Sequence, residues 1–151
     1  MGGGKMEVYQ ATTKDLEGVS KLFDLYRVFY EQPSDNQAAK NFILERLEKN
    51  DSVIFVAVEN GEYIGFTQLY PSFSSVSMQR LWILNDLYVK QEARNRGVGK
   101  NLLAAAKQLA LKTNAKGLSL QTAVDNFNAQ ALYESDGWVK DEKCFYYDLK
   151  I

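Results

Sequence analysis

The segment L-W-I-L-N-D-L-Y-V (81–89), separated by four residues from R-N-R-G-V-G-K (94–100), decides the fold. The first part predicts a long strand with two polar residues at its centre. The second part gathers cations and glycines directly before an apolar run, which predicts a loop that opens a helix from about Gly97 to Thr113. Glycines let an anion approach the backbone, and the N–H groups of a first helical turn point at it. The pattern therefore predicts an anion site, with a solvated basic helix start as the alternative.

Outward from this segment, the chain alternates strands and helices without an internal repeat or a linker, which predicts one α/β domain. Asn60-Gly61 tolerates the positive φ of a tight hairpin turn. The other predicted elements are a strand at 6–11, a helix that begins at Thr12 or Thr13 and runs to about Phe29, a helix from Ser34 to about Asn50, a hairpin at 52–70, a loop at Ser72–Gln79, a strand at Gly117–Ala123, a helix at 126–135, and two last strands on either side of Asp141-Glu142-Lys143.

Composition excludes several function classes. With 151 residues and a net charge of −1, the chain suits one folded domain and lacks the basic excess of a dedicated nucleic-acid binder. No apolar run approaches the roughly 18–20 residues that span a membrane, and the start has no secretory signal. We expect residues 1–5 to be an added remnant or a disordered start before Met6. The single cysteine, Cys144, favours a reducing cytoplasm.

The chain contains no histidine. That excludes Ser-His and Cys-His nucleophilic pairs and histidine-based zinc sites, and one cysteine makes no cysteine-rich metal site, so we expect no metal. A dinucleotide fingerprint lacks its third glycine here, and the Walker A spacing is wrong, which argues against a nucleotide-phosphate enzyme. Chemistry must therefore use carboxylates, tyrosine, lysine, backbone amides or a bound cofactor.

Two motifs together resemble one known family. R-x-x-G-x-G (Arg94, Gly97, Gly99) after N-D-L-Y-V is similar to the acetyl-coenzyme A loop of the Gcn5-related N-acetyltransferase (GNAT) superfamily. A second block, N-F-N-A-Q-A-L-Y-E-S-D-G-W, is similar to the superfamily's N-x-x-A-x-x-x-Y-x-x-x-G-[FW] pattern; its matching residues are Asn126, Ala129, Tyr133, Gly137 and Trp138. Within the superfamily, I-L-N-D-L-Y-V and F-Y-E resemble the small histone/polyamine (diamine) acetyltransferase branch.

The resemblance implies an α/β (α+β) fold over residues 6–151, a single N-acetyltransferase domain. Its sheet would be mixed and mostly antiparallel, with six to seven strands, splayed central strands and helices on both faces. The implied reaction moves acetyl from acetyl-coenzyme A to a primary amine by direct attack through a tetrahedral intermediate. That amine would belong to a polyamine, a lysine side chain, a peptide or a small molecule.

The implied cofactor is acetyl-coenzyme A, with coenzyme A as product. Its pyrophosphate would lie on the glycine loop, and its pantetheine arm would follow free main-chain groups of the preceding strand. Asn126 would contact the pantetheine amides, act as a simple N-cap, or do both. The cofactor-binding residues implied are Leu87, Tyr88, Val89, Arg94, Asn95, Arg96, Gly97, Val98, Gly99, Lys100, Asn126, Ala129 and Tyr133.

The catalytic residues implied are Tyr133 and Asp86. A phenol near the sulfur could protonate the leaving thiolate; the alternative is an aromatic that only packs. Asn85 stands where many relatives carry a glutamate, and asparagine accepts no proton at neutral pH. Asp86 is then either the base, acting through water, or a structural residue that caps a backbone N–H while the amine loses its proton to solvent.

Aromatic residues and a carboxylate suit a cationic amine through cation–π contacts and charge pairing. The acceptor site is expected between the first two helices and the loop after the hairpin, and Glu31 is alternatively a solvated loop acid. The candidates are Tyr26, Tyr30, Glu31, Tyr70, Trp82 and Asn85. The apolar F-Y-Y-D-L-K-I end predicts an edge strand that pairs in a homodimer. A non-catalytic acyl-coenzyme A sensor or regulatory module remains as the alternative function.

Overall fold

The structure is a computed structural model that describes residues 5–151. The prediction for residues 1–5 therefore lies, except for Lys5, outside the described residues. Two compact units make up the described chain, residues 5–121 and residues 122–151. The first holds β1 (Met6–Gln10), α1 (Leu16–Phe29), α2 (Asn36–Lys49), β2 (Val53–Glu59), β3 (Glu62–Ser74), β4 (Gln79–Val89), α3 (Val98–Lys112) and β5 (Leu118–Ser119), and the second holds α4 (Phe127–Ser135).

One mixed sheet organises the first unit, with its strands in the order β1-β2-β3-β4-β5. The first four strands pair antiparallel, and β5 runs parallel to β4. The predicted hairpin turn is confirmed, because Asn60 and Gly61 join β2 to β3 with φ values of 53° and 77°. Positive φ at both central residues gives a turn whose twist matches that of the strands.

Helices cover both faces of this sheet, as predicted. On β2, Ile54 and Val56 pack with Leu22 of α1 and Ile43 of α2. Ala57 lies on the opposite face, in a cluster with two residues of α3, Val98 and Leu102. Because side chains alternate along a strand, the two apolar clusters lie on opposite sides of the sheet. In the part of the chain that is described, no helix is long and apolar enough to cross a bilayer.

Several predicted boundaries were wrong. Half of the predicted loop at Ser72–Gln79 is strand, because β3 continues to Ser74 and β4 begins at Gln79; only residues 75–78 form the turn between them. Polar residues such as Ser72 and Ser74 favoured the prediction of a loop. They instead extend a ribbon of β3 and β4, because the backbone hydrogen bonds between two strands do not require apolar side chains.

The strand count was also wrong. Within residues 5–151 the sheet has five strands rather than six to seven. The predicted strand at Gly117–Ala123 is reduced to Leu118–Ser119, and residues 139–151, which were to hold the last two strands, have no regular structure. Apolar alternation predicts an extended segment, but it does not predict whether a neighbouring strand lies close enough to form the hydrogen bonds that define a β-strand.

The second helix begins later than predicted. Ser34 was expected to open it, but Asp35 is the N-cap and accepts a hydrogen bond from the Ala38 N–H at 3.1 Å. The Ser34 hydroxyl instead donates to Oδ2 of the buried Asp24 at 2.6 Å, and the Asp35 N–H donates to Oδ1 at 2.7 Å. One carboxylate of α1 thus holds the connection to α2.

A second buried carboxylate fixes the start of α1. Asp15 Oδ1 accepts hydrogen bonds from the hydroxyls of Tyr9 at 2.8 Å and Tyr63 at 2.6 Å, and Oδ2 accepts the Thr12 N–H at 2.9 Å. Burial alone would raise the pKa of Asp15. The bonds from Tyr63, Thr12 and Tyr9 outweigh burial and leave its pKa below the ordinary value of 3.8. The group therefore stabilises the fold above about pH 4 and loses that contribution as pH falls through its folded pKa.

We predict that Asp15→Asn lowers the free energy of unfolding at pH 7 by about 2 kcal/mol, because an amide replaces a carboxylate that accepts three hydrogen bonds. The difference from the wild type should shrink on acidification below about pH 4, where Asp15 itself becomes protonated. Urea unfolding followed by circular dichroism between pH 3 and 7 measures this, with the exposed Asp125→Asn as control. A difference that stays constant over this range would contradict the assignment.

Candidate active site

A β-bulge at Asn85 organises the site. The register between β3 and β4 pairs Gln68 with Asp86 and then Leu69 with Leu84, so Asn85 is an extra residue on β4. A bulge inserts one residue into one strand and bends it. In a regular strand, residues 82, 84, 86 and 88 would share one face.

The bulge moves the second half of β4 to the other face of the sheet. Trp82 lies on the α3 side, where its Nε1–H donates to Oγ1 of Thr113 at 2.9 Å. Tyr88 lies on the α1 side, with its ring centroid 6.0 Å from that of Tyr26. Trp82, predicted as an acceptor residue, therefore lies on the opposite face of the sheet from Tyr26.

Asp86 is buried on the α1 side of the sheet, to which the bulge turns its side chain. Its Oδ2 accepts a hydrogen bond from Nε2 of Gln68 at 2.9 Å, and Nδ2 of Asn85 lies 3.1 and 3.2 Å from its two oxygens. Gln68 is fully buried, and its Oε1 accepts the Ser52 hydroxyl at 2.9 Å. In the described residues, the donors that reach this carboxylate are neutral side-chain amides rather than the backbone N–H expected of a structural cap.

The main chain of β4 is open on one side beyond the bulge. The Lys90 N–H donates to the Ile64 carbonyl at 2.9 Å, and antiparallel alternation then turns the N–H and C=O groups of Leu87 and Val89 away from β3. On that side, within residues 5–121, β5 pairs only with Trp82 and Ile83 of β4. The predicted splay of the central strands is therefore present in this unit.

The glycine loop leads from this open edge into α3. Asn95 and Gly97 have φ values of 63° and 81°, and Gly97 caps α3 without a side-chain hydrogen bond. The first N–H of the helical ladder is that of Asn101, which donates to the Gly97 carbonyl at 3.0 Å. The N–H groups of Val98, Gly99 and Lys100 precede it and point out of the helix end with the positive end of its dipole.

The cations of the loop are not equivalent. Arg96 is in an ion pair with Glu59 at 2.9 Å, whereas Lys100 is exposed on the first turn of α3. Arg94 donates from Nε to the Val89 carbonyl at 2.9 Å. The predicted cationic loop is present, but two of its three charges already contact other parts of the protein.

The acceptor candidates other than Trp82 lie on the α1 side. The Tyr26 and Tyr30 rings are 5.1 Å apart and Tyr30 is half-exposed. Burial raises the pKa of Tyr70, and the nearby Asp86 carboxylate raises it further, so these two residues face the same region. Glu31 is exposed in a left-handed turn with φ of 64°. The Asn85 amide faces Asp86.

The second unit carries the other motif. Asn126 is the N-cap of α4, because its Oδ1 accepts the Ala129 N–H at 3.2 Å. That bond uses one lone pair of the side-chain oxygen, and the NH₂ group of Asn126 can donate to a further ligand. The Tyr133 ring lies 6.0 Å from that of Trp138, and the Trp138 N–H donates to the Tyr133 carbonyl at 3.0 Å. The two aromatic residues of the motif therefore contact each other at the end of α4.

Sequence reasoning missed Gln68, Gly65 and Phe29. Gln68 had a signal, because a polar residue inside the run I-G-F-T-Q-L-Y must find a partner when it is buried. Gly65 had one as well, since glycine inside a strand often marks a close approach. A Cβ at Gly65 would lie 3.0 Å from the Tyr88 carbonyl oxygen and 3.2 Å from Cγ1 of Val98. Phe29 was read only as an apolar position of α1.

Comparison with known proteins gives a consistent result. The model of the acetyltransferase (GNAT) family matches residues 19–138. An N-acetyltransferase of Bacillus subtilis strain 168, named YhfO and described as uncharacterized, is 51% identical over 97% of this chain and 98% of its own. The crystal structure of a "probable acetyltransferase" has a TM-score of 0.91 at 44% identity, covering 96% of this chain and 97% of its own. At 21% identity, an aminoglycoside N-acetyltransferase in complex with coenzyme A shares the fold, with a TM-score of 0.83 and coverages of 99% and 98%.

We predict that Gly65→Ala pushes the start of α3 away from the sheet, because the new methyl group meets main chain and two packed side chains of α3, Val98 and Leu102. The free energy of unfolding should fall by about 1–3 kcal/mol, and the dissociation constant for acetyl-coenzyme A should rise. Urea unfolding and isothermal titration calorimetry measure the two effects. Gly117→Ala is the matched control, since a Cβ there meets nothing within 4 Å. Equal effects of the two substitutions would contradict the close approach.

Proposed function

The chain belongs to the acetyltransferase (GNAT) family, and on that premise we propose that it transfers the acetyl group of acetyl-coenzyme A to a primary amine. Acetyl-coenzyme A is the acetyl donor of this family. The observation that carries the proposal is the open edge of β4 at Leu87 and Val89, which leads through the glycine loop to the uncapped start of α3. The outward N–H groups at the strand edge suit an amide-containing arm, and those at the start of α3 suit a pyrophosphate.

The residues of the strand edge and of the helix start have separate roles in the proposal. The N–H groups of Val98, Gly99 and Lys100 bind the pyrophosphate, with the Lys100 ammonium nearby. The main chain of Leu87 and Val89 binds the pantetheine arm. When bound, acetyl-coenzyme A supplies an activated thioester and a thiolate leaving group. A backbone N–H directed at the acetyl oxygen stabilises the negative charge that develops there, an effect typically worth about 3–4 kcal/mol.

Tyr133 is proposed as the general acid. An ordinary tyrosine has a pKa of about 10 and a free thiol one of about 8.5, so a phenol beside the sulfur can share its proton with the departing thiolate. In a chain without histidine, tyrosine is the natural residue for this step. Asn126 and Ala129 of α4 are also proposed as cofactor-binding residues, with the Asn126 NH₂ group as donor.

We predict thiol release from acetyl-coenzyme A with one class of amine, and a loss of about a hundredfold in turnover with Tyr133→Phe at an unchanged dissociation constant for the cofactor. The amine panel should contain spermidine, a short diamine, a lysine-rich peptide, free amino acids and an aminoglycoside. A coloured thiol reagent measures release. Unchanged turnover of Tyr133→Phe at saturating substrate would contradict the acid role, and cofactor binding without release across the panel would favour the sensor.

Asp86 is proposed as the group that receives the amine proton, through water. Its carboxylate is buried and contacted by the neutral amides of Gln68 and Asn85, on the same face as Tyr26 and Tyr70. A buried charge without a partner of opposite charge is costly, and a protonated amine would be such a partner. Loss of the amine proton to solvent is the alternative that this placement does not favour.

We predict that Asp86→Asn lowers turnover by about a hundredfold, because an amide accepts no proton, and leaves the dissociation constant for acetyl-coenzyme A unchanged. Asp125→Asn makes the same change at an exposed position and is the matched control; it should keep most of the turnover. Rates of Asp86→Asn that equal those of the wild type across the pH range would exclude Asp86 as the base.

The acceptor is proposed to be a cationic primary amine of a polyamine, a lysine side chain, a peptide or a small molecule. The aromatic rings of Tyr26 and Tyr30, the half-buried Tyr70, the carboxylate of Glu31 and the Asn85 amide are its proposed contacts. Cation–π contacts and charge pairing would select an ammonium over a neutral group. Membership of the histone/polyamine branch would make a polyamine or a lysine side chain the acceptor. The amine panel distinguishes these acceptors from other peptide and small-molecule amines.

Three further proposals concern the whole chain. We place it in the cytoplasm, because a single cysteine suits a reducing compartment. We treat residues 6–151 as one functional domain. We also propose that the protein forms a homodimer through its apolar end, where Phe145, Tyr147 and Leu149 alternate with other residues. A monomer in sedimentation at micromolar concentration would contradict this proposal.

A further inference from the structure

Arg94 makes contacts that differ from those of a phosphate ligand. Its guanidinium lies 5.5 Å from the ring centroid of Phe29 and 5.8 Å from that of Tyr88, within the range of a cation–π contact. Its Nε–H donates to the Val89 carbonyl at 2.9 Å. The rings of Phe29 and Tyr88 are themselves 6.3 Å apart. One side chain thus joins the last residue of α1 to the last two residues of β4.

The ionisation of Tyr88 is consistent with this contact. Burial raises the pKa of Tyr88, and the positive charge of Arg94 acts in the opposite direction. Arg96, two residues further, contacts Glu59 at 2.9 Å instead. Lys100 is the cation that lies exposed on the first turn of α3, beside the N–H groups that point out of the helix.

We propose that Arg94 is a positioning residue that couples the end of α1 to the phosphate-binding turn, rather than a charged ligand of the pyrophosphate. Tyr30 and Glu31 follow Phe29 directly, so the same contact fixes the entrance to the acceptor side. Arg94 also holds the Val89 carbonyl at the point where β4 leaves the sheet for the glycine loop. The acceptor part of this inference rests on the proposed acetyl transfer, whereas the coupling to the cofactor loop does not.

A double-mutant cycle between Arg94→Ala and Phe29→Ala tests the coupling. Each single substitution should raise the dissociation constant for acetyl-coenzyme A about threefold, the size of an exposed cation–π contact. The double variant should lose no more than the weaker-binding single variant, because either change already breaks the contact. The same non-additivity should appear in urea unfolding of the protein without ligand. Phe29→Leu keeps the apolar volume without the ring and serves if Phe29→Ala fails to fold.

The substitution Arg94→Lys distinguishes the effect of the positive charge from that of the guanidinium shape. A lysine keeps the positive charge but loses both the flat guanidinium and the Nε–H that reaches Val89, so it should bind acetyl-coenzyme A as weakly as Arg94→Ala. The salt dependence of binding should stay close to that of the wild type in both Arg94 variants and should become clearly shallower in Lys100→Ala, because a direct phosphate contact carries most of that dependence. Arg94→Ala should also raise the KM for the amine more than it lowers kcat.

Two results would overturn the inference. One is strictly additive losses in the Arg94 and Phe29 cycle. The other is full recovery of binding by Arg94→Lys together with a shallower salt dependence in Arg94→Ala, which would make Arg94 a charged phosphate ligand. Failure of the wild type to bind acetyl-coenzyme A would instead contradict the cofactor assignment. Normal binding without acetyl transfer would contradict only the proposed reaction and the KM effect.

Discussion

The extra residue in β4 is the constraint on which the other features of the first unit depend. Because a strand has a side-chain period of two, one inserted residue exchanges the faces of every side chain that follows. Before Asn85 the buried side chains of β4 pack towards α3, and after it Asp86 and Tyr88 turn to α1. Without the insertion, the carboxylate and the tyrosine would lie beneath α3, on the opposite face from Tyr26.

The same bulge explains why polar residues are tolerated at the centre of a buried strand. An unpaired buried carboxylate is costly, and here a bulged asparagine and a fully buried glutamine supply its donors. Ser52 completes the chain of hydrogen bonds at the far end. A network of this kind holds the carboxylate in one position on the face where the acceptor residues lie, which is what a proton-accepting group requires.

Beyond the bulge, the backbone rather than the side chains defines the cofactor edge. Leu87 and Val89 turn their main-chain groups away from β3 where β5 has already ended. Gly65 lets α3 lie close against this end of the sheet, and the left-handed Gly97 turns the chain into the helix. The side chains of Leu87 and Val89 pack against the core while their main chain forms the edge, and the glycines matter for the space and the φ angles they allow.

The sequence predicted the features that depend on local chemistry. Asn60-Gly61 formed the expected turn, Asn126 capped α4, and the glycine loop opened α3, because each of these needs particular residues at a fixed spacing. The errors arose where a partner distant in sequence decides the outcome. The last strands were predicted from apolar alternation, which does not identify the strand that pairs with them. The bulge that puts Trp82 and Tyr26 on opposite faces of the sheet has no local sequence pattern. The acceptor class is likewise set by a surface to which many residues contribute.

Amide hydrogen exchange along β4, followed by NMR, tests the open edge most directly. Without ligand, the amides of Leu87 and Val89 should exchange quickly while that of Tyr88, which faces β3, stays protected. Addition of acetyl-coenzyme A should slow exchange at Leu87 and Val89 and leave Tyr88 unchanged. Uniform protection along β4 without ligand, or no change at Leu87 and Val89 when the cofactor is bound, would contradict the proposed role of this edge.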